Sequence, residues 1–521
     1  MKHRLQLAVL PAVIFGALTG IVASLMVNLY KVCAKYVIAY SDKGYHLLSK
    51  YLYYIPLVLL VLGGISLLLA YIYKRVPNLR GGGIPTSIGI LRGIIPFKWL
   101  RNLVGVFVLS LASFFVGVPL GNEGPSVQMG TAIGRGCVYA FPKKHRAWDR
   151  YSMTGGACAG FSVATGAPIS GVFFALEEAH QRISPMIVIV ASVSVMFATA
   201  TTEVVAPLLG VDKSLFPAFV LPKLQVKDVW IPIVVGLWIG LFAVLFLKYY
   251  RLIFAFFNHT LKKIPHYMRI FMVLAATVVL GLTCHDSIST GHHLILELFE
   301  SQPAVPLLLL LLVLRATLTL CANSNRITGG IFLPILAVGA LAASLLGSLM
   351  EMLFGLGEIY GSIILVLGIV SCIAGMMKMP ITAIIFALEA LSCYDNVLYV
   401  IVAAGVSYMI TEIFAVESIN DRVLDNRVEE INEGKNPKIL DKYVTVRDGA
   451  FAVGKQVRDI FWPTGLFVLS QTHTKPIDPK NEHAAKALQA SDVLHVRCKT
   501  FDEGQTKAEL EAILGAQDHR L

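Results

Sequence analysis

Long runs without a charged residue alternate with short polar segments along most of the chain. Several runs approach or reach the roughly 20 residues that a helix needs to span a bilayer. Examples are residues 56–73, 103–121, 186–202, 230–247 and 305–314. Other apolar segments are short or broken by Gly and Pro, a pattern typical of discontinuous helices around a site at the membrane midplane. The pattern predicts an all-helical, polytopic membrane protein.

Composition supports this class and argues against a soluble one. The 521 residues are 56% hydrophobic and 15% charged, with a mean hydropathy of +0.70, whereas soluble domains carry about 25% charged residues. The net charge of +11 comes partly from loop clusters such as residues 143–146. Such clusters orient helices in a membrane, so we expect no nucleic-acid partner. The apolar run 7–29 follows basic residues, and we expect it to be retained with a cytoplasmic N-terminus.

The stretch Gly-Asn-Glu-Gly-Pro at 121–125 places one carboxylate in an uncharged neighbourhood. Residues 107–120 and 126–133 carry no charge, so an ionised Glu123 is costly there. Pro125 suits the first turn of a helix, and the glycines permit close approach of the backbone. The stretch predicts a helix that begins inside the bilayer, with N–H groups beside the acid. The alternative is a surface turn with a solvated Glu123.

Two internal matches indicate a duplication. Residues 168–177 (PISGVFFALE) match residues 380–389 (PITAIIFALE). Pro125-x4-Gly130 matches Pro334-x4-Gly339 in the same order. Two matches in register predict a duplicated transporter core with its site between the repeats.

Two further Gly-rich segments resemble helix starts. They are Gly-Gly-Gly-Ile-Pro at 81–85 and Gly-Gly-Ile-Phe-Leu-Pro at 329–334. Together with residues 121–125 they offer three sets of first-turn N–H groups, which bind anions without a full positive charge. The alternative for each segment alone is close helix packing.

With these motifs the chain resembles the CLC family of chloride channels and proton-coupled chloride transporters over roughly residues 10–425. The family signatures G-S-G-I-P, G-R-E-G-P and G-x-F-x-P correspond in order to 81–85, 121–125 and 330–334. The resemblance implies a transmembrane anion-transport domain at 1–425. It would contain two inverted repeats of broken and tilted helices, roughly 30–210 and 230–415. It also implies a homodimer in a lipid bilayer, for which we expect the bacterial inner membrane.

The resemblance assigns roles to individual residues. Glu123 resembles the gating glutamate, and Glu178 matches the internal proton-relay glutamate that some channels of the family lack. The anion-binding set it implies is Gly82, Gly83, Ile84, Glu123, Gly124, Ile331, Phe332 and Asn420. We therefore expect exchange of chloride for protons, with a passive voltage- or pH-gated channel as the alternative. In a second interpretation Glu178 merely marks a helix end at the cytoplasmic surface.

Departures from the family pattern leave the ion open. Gly82 stands where the family usually has a serine, and Asn420 falls by spacing at the position of the partner tyrosine. Asn122 replaces the arginine of the second signature. The fluoride-exporting branch also departs at the serine and tyrosine positions, so a fluoride/proton antiporter remains an alternative. Arg315 is expected to extend to a membrane interface.

The last part of the chain is more polar. We predict a linker at 426–440 and a small α/β cytoplasmic domain at 441–521, similar to the C-terminal subdomain of potassium-conductance regulators (RCK_C-like). Alternating patterns predict strands at 443–447, 465–470 and 493–500 and helices at 453–460 and 506–514. The domain lacks a phosphate loop and a catalytic constellation. We therefore expect a regulatory module with a possible small ligand, no enzymatic activity, no metal and no cofactor.

Overall fold

A computed structural model of the protein describes residues 2–355, 360–432, 436–474 and 487–515. Within these residues, nine helical segments are long and apolar enough to cross a membrane. The prediction of a mostly helical, polytopic membrane protein is therefore confirmed. The helices of the first half are α1 (Lys2–Lys50), α2 (Ile55–Arg75), α3 (Ile84–Leu91), α4 (Trp99–Val116), α5 (Glu123–Tyr139), α6 (Asp149–Thr165), α7 (Pro168–Phe174) and α8 (Pro185–Leu209).

The second half repeats this arrangement and is followed by a small sheet domain. Its helices are α9 (Trp230–Ala255), α10 (His266–Thr283), α11 (His292–Glu300), α12 (Val305–Ser324), α13 (Phe332–Phe354), α14 (Gly361–Met376), α15 (Pro380–Leu391), α16 (Val397–Ile413) and α17 (Ile419–Asn432). The last domain contains β1 (Lys438–Thr445), β2 (Leu466–Thr472), β3 (Val493–Thr500) and α18 (Glu503–Leu514).

The duplication seen in the sequence is present in the packing. Helix α1 packs on α6 and α8, and α9 packs on α14 and α16. Likewise α5 packs on α6, and α13 packs on α14. The matched glycines Gly130 and Gly339 both face the following helix of their repeat, since an added Cβ would meet Gly156 O at 2.0 Å and Cys372 Cβ at 2.7 Å. Each half therefore builds the same helical core.

Helices α5 and α6 touch through their backbones. An added Cβ on Gly130, Gly134, Gly156 or Gly160 would lie 2.0–2.3 Å from a carbonyl oxygen of the facing helix. Small residues allow such close approach in membranes, where van der Waals packing replaces the hydrophobic driving force between helices. This contact holds the start of α5, and therefore Glu123, in a fixed place.

Two glutamates connect the repeats reciprocally. Glu177 accepts hydrogen bonds from the N–H groups of Ile381 and Thr382 at 2.9 and 2.8 Å, and from the Thr382 hydroxyl at 2.7 Å. Glu389 accepts the corresponding three bonds from the start of α7, each 2.8–2.9 Å. First-turn N–H groups have no acceptor within their own helix, so each repeat supplies the cap that the other lacks.

The prediction for Arg315 is wrong. Its side chain is fully buried instead of reaching a membrane interface. The guanidinium donates to the carbonyl oxygens of Asp286, Ile288 and Ser289 at 2.9–3.1 Å. These carbonyls lie in an irregular segment that offers few backbone partners, and the arginine satisfies them.

The C-terminal domain is an antiparallel sheet of order β1-β3-β2 with α18 against it. The three predicted strands and the last helix are present; the strand at 493–500 has the predicted ends, and the ends of the other three elements are shifted. The predicted helix at 453–460 is wrong, because only Val457–Asp459 form a 3-10 turn. The segment pairs instead with a distant one: Gly454 N donates to Leu488 O at 2.7 Å, and Leu488 N donates to Lys455 O at 2.8 Å.

The predicted linker at 426–440 consists mostly of regular structure. Residues 426–432 are the last turns of α17, and 438–440 begin β1. The helix persists because Arg427 on its inner face is buried against the membrane domain. Residues 433–435 of the linker, and 475–486 and 516–521 of the predicted domain, lie outside the described residues.

The sheet domain packs on the start of α6. Arg150 donates to Trp462 O at 2.7 Å and pairs with Glu509 at 2.7 Å. The Tyr151 hydroxyl donates to Asp459 O at 2.6 Å, and its ring lies 4.5 Å from that of Phe461. Polar and aromatic contacts thus connect the domain to the helix that supports α5.

We expect Gly156→Ala to destabilise the protein, since its Cβ would lie 2.1 Å from Gly130 O. Overpacking of this kind costs about 1–3 kcal/mol of unfolding free energy. Thermal unfolding of the purified protein measures the effect. Gly405→Ala in α16 is the matched control, because its Cβ would meet no atom within 4 Å; equal unfolding temperatures for the two variants would contradict the backbone contact.

Candidate functional site

The starts of α3, α5 and α13 meet at one point. An added Cβ on Gly124 would lie 2.6 Å from the Cα of Gly330, and one on Gly83 would lie 3.2 Å from the Cα of Gly124. Two backbone hydrogen bonds, 2.6 and 2.9 Å long, join Gly121 and Gly330. The three glycine-led segments singled out in the sequence therefore form one cluster, with Ile84, Ile331 and Phe332 at its helix starts.

Glu123 is the acid of this cluster. It is fully buried, so the alternative of a solvated surface turn is wrong. Neither carboxylate oxygen has a hydrogen-bond partner of normal geometry among the described residues, although the N–H groups of Glu123 itself and of Leu333 lie nearby. An added Cβ on Gly121 would lie 2.4 Å from Oε2, so the side chain folds back over that glycine. A buried charge without direct partners is costly, which makes this group ready to exchange its place or its proton.

One of the predicted amide donors is already used. The N–H of Gly83 donates to Gln128 Oε1 at 2.6 Å, so this N–H is not free to hold an anion in this arrangement, and the anion-binding role of Gly83 stays a prediction. Gln128 is buried and also donates to Asn102 Oδ1 at 3.1 Å. It additionally lies 3.1 Å from where a Gly82 Cβ would stand. Sequence reasoning missed Gln128; its amide within the uncharged run 126–133 was the available signal.

The N–H groups that remain without an intrahelical acceptor lie in the first turns. They belong to Ile84 in α3, to Glu123 and Gly124 in α5, and to Phe332 and Leu333 in α13, as in any helix start. The ring of Phe332 is fully buried and packs edge-to-face on Phe161 at 5.4 Å. The arrangement can hold a small anion by partial charges.

Glu178 and Asn420 form a second polar pair. Glu178 is 1% exposed, so it does not merely mark a helix end at the surface. Asn420 Nδ2 donates to Glu178 Oε1 at 3.0 Å, while Asn420 Oδ1 is buried without a partner among the described residues. Arg92 donates to the carbonyl oxygens of Glu178 and Ala179 at 2.9 and 3.0 Å. The predicted anion ligand Asn420 is thus hydrogen-bonded to the predicted proton carrier.

A cavity of about 630 Å³ reaches the cluster at Asn122 and Leu333, next to the starts of α5 and α13. Lys31 is among its other lining residues. Lys31 Nζ donates to Val163 O at 3.2 Å. His292, also in the lining, hydrogen-bonds Leu215 O at 2.6 Å. The cavity gives the Glu123 region a polar approach with both basic and acidic side chains.

We expect Gly121→Ala to displace the Glu123 carboxylate while leaving the protein folded. The new Cβ would lie 2.4 Å from Oε2 and 3.0 Å from Leu333 Cβ. The first contact is relieved at low cost because Oε2 is the end of a flexible side chain, and the second needs a shift of only a few tenths of an ångström. A crystal structure of the variant should show Glu123 in another rotamer, and the unfolding temperature should stay close to that of the parent. A Glu123 carboxylate in its original place would contradict the close contact with Gly121.

Comparisons with known proteins agree with this geometry. Residues 63–412 match the model of the voltage gated chloride channel family. The H(+)/Cl(-) exchange transporters ClcA of Salmonella arizonae and Salmonella paratyphi B are each 27% identical over 345 residues, which cover 63% of this chain and 70% of the relative.

Solved structures share the fold. A slow cyanobacterial Cl-/H+ antiporter superposes with a TM-score of 0.72 at 22% identity, covering 81% of this chain and 99% of that one. A CLC-type fluoride/proton antiporter gives 0.62 at 20% identity, with 78% and 96% covered. The family match spans more than half of the residues, from within α2 to within α16, and contains the three helix starts that meet at Glu123. The chain belongs to the voltage gated chloride channel (CLC) family.

Proposed function

We propose that the protein exchanges chloride for protons across the membrane. The observation that carries the proposal is the buried carboxylate of Glu123 at the junction of three helix starts, without a side-chain hydrogen-bond partner among the described residues. The activities named for the ClcA relatives and for the cyanobacterial antiporter support the same chemistry.

Glu123 is the movable gate of this exchange. Its ionised carboxylate is an anion and competes with a halide for the first-turn N–H groups of Ile84, Gly124, Phe332 and Leu333. Protonation removes its negative charge, so the side chain leaves and a halide enters. One proton is thereby linked to the movement of anions.

Glu178 is the inner proton station, reached separately from the anion path. Its carboxylate is held by the Asn420 amide, and its backbone is held by Arg92. Because the Asn420 amide binds only Oε1, Oε2 can take up a proton from the cytoplasmic side and pass it on toward Glu123.

The proposal includes a homodimer in a bacterial inner membrane with both termini cytoplasmic. Basic residues near helix ends support this orientation. The C-terminal domain would act as an RCK_C-like regulatory module that binds a small ligand, since its contacts at Arg150 and Tyr151 reach the helix behind Glu123. The mechanism needs no catalysed reaction and no resident cofactor.

Fluoride is the second candidate ion. The site lacks the hydroxyl of a serine at Gly82, where the Gln128 side chain lies instead, and the Asn420 amide is directed to Glu178. With fewer neutral donors around the ion, the site has less with which to select chloride over a smaller halide. A CLC-type fluoride/proton antiporter shares this fold, which adds to the alternative.

Purified protein in liposomes tests the exchange. A chloride gradient should drive uphill proton movement. Glu123→Gln should abolish that movement while anion flux persists, because the glutamine amide carries neither a negative charge nor an acidic proton. Glu203→Gln is the control, as this side chain is 57% exposed on α8. Chloride leak without protons would indicate a passive channel, and no flux at all would overturn the proposal.

Glu178→Gln completes the same experiment. It should stop proton movement while leaving Glu123 able to respond to external pH. Proton coupling that survives either substitution would overturn the assigned role of that residue.

Paired efflux of chloride and fluoride from the same liposomes, with pH recording, separates the two ions. We expect chloride to drive protons more strongly than fluoride. The opposite order would assign the protein to fluoride export. It would also relate Gly82 and Asn420, which replace the family's serine and tyrosine, to that function.

A further inference from the structure

Four arginines surround a single carboxylate beside the glycines that precede α3. Arg80 and Arg326 each pair with one oxygen of Glu430 on α17. Arg427 lies three residues before Glu430 on the same helix face, and Arg269 interacts electrostatically with both Arg326 and Glu430. In the part of the chain that the structure describes, Glu430 is the carboxylate that forms ion pairs within this arginine cluster.

Two of these cations form no direct ion pair among the described residues. Arg427 is 5% exposed and donates to Pro77 O at 3.0 Å, to Arg80 O at 2.5 Å and to the hydroxyl of Thr86. Arg269 donates to a backbone carbonyl, and its buried Nε has no partner among the described residues. Partly buried positive charge that exceeds the nearby negative charge attracts anions.

The cluster borders a small cavity beside the glycines that precede α3. Its lining includes Gly81, Gly82, Tyr250, Arg326 and Arg427. The volume of about 20 Å³ accommodates roughly one water molecule, so a halide needs additional space. That space lies between Arg80 and Arg326, both of which the Glu430 carboxylate now contacts. The Glu430 side chain is 34% exposed and can turn toward solvent.

We propose that the arginine cluster is a further binding site for a small monovalent anion, and that the Glu430 carboxylate is its tethered competitor. The anion binds between Arg80 and Arg326 when Glu430 turns away. This position lies beside Gly81 and Gly82, which directly follow Arg80 in the chain. Glu123 lies among backbone N–H groups, which carry partial positive charge. Glu430, on the cytoplasmic helix α17, instead competes with the anion for the full positive charges of arginine side chains. The same helix carries Asn420 and so connects this site with Glu178.

Bromide-soaked crystals of the full-length protein test the site through anomalous diffraction. Glu430→Gln should show a bromide peak between Arg80 and Arg326 at a bromide concentration about tenfold below that needed by the parent protein, as expected when a competitor that closes the site about 90% of the time is removed. In the parent protein at high bromide, the Glu430 side chain should turn out of the cluster as the peak appears.

Glu429→Gln is the matched control, since it removes the same charge from the neighbouring, exposed residue. It should leave the bromide occupancy at the parent level. Glu430→Asp keeps the charge but is one methylene shorter. It tests the site if loss of both ion pairs prevents Glu430→Gln from folding. It should bind bromide with intermediate affinity. Absence of a peak in both Glu430 variants, or an equal gain in Glu429→Gln, would overturn the proposal.

Transport supplies a second readout, which alone rests on the proposed chloride exchange. Glu430→Gln should lower the cytoplasmic chloride concentration at half-maximal flux without changing the ratio of chloride to protons. An unchanged half-maximal concentration would mean that the site is off the transport path. A bromide peak in a protein that transports nothing would keep the binding site and remove the proposed function.

Discussion

Close approach of the backbone at three helix starts is the constraint on which the rest of the structure depends. Gly83, Gly124 and Gly330 meet with no side chain between them, and only this absence lets the first-turn N–H groups of separate helices face one small volume. The helices that provide them are held by equally close contacts, such as those between Gly130 and Gly156. An apolar protein thus concentrates partial positive charge at one point without placing a lysine or arginine there.

The sequence reveals this point because its determinants are local. A glycine before a helix, a proline in the first turn and an acid between two glycines are readable in residues 121–125, and the same logic applies to 81–85 and 330–334. The duplication is readable for a similar reason, as Gly130 and Gly339 keep the same packing role in both halves.

Other features depend on partners far away in the chain, and local patterns do not contain them. Gln128 occupies the donor of Gly83 from 45 residues away, and Arg315 finds its acceptors in a segment that looks like an ordinary loop. The stretch 453–460 has helical spacing, yet the Gly454 N–H and the Lys455 carbonyl both pair with Leu488, more than 30 residues later. In each case a tertiary hydrogen bond decides the outcome against the local preference.

The reciprocal contacts of Glu177 and Glu389 have a consequence for biosynthesis. Ile169 and its acceptor Glu389 are 220 residues apart, which corresponds to roughly 10–45 s of translation. During that interval the first half is inserted with the start of α7 unsatisfied, and water, lipid headgroups or an insertase must cover it. Final closure of the molecule therefore has to follow synthesis of the second half, so a ribosome that stops before residue 389 leaves a half-protein that cannot complete its own helix.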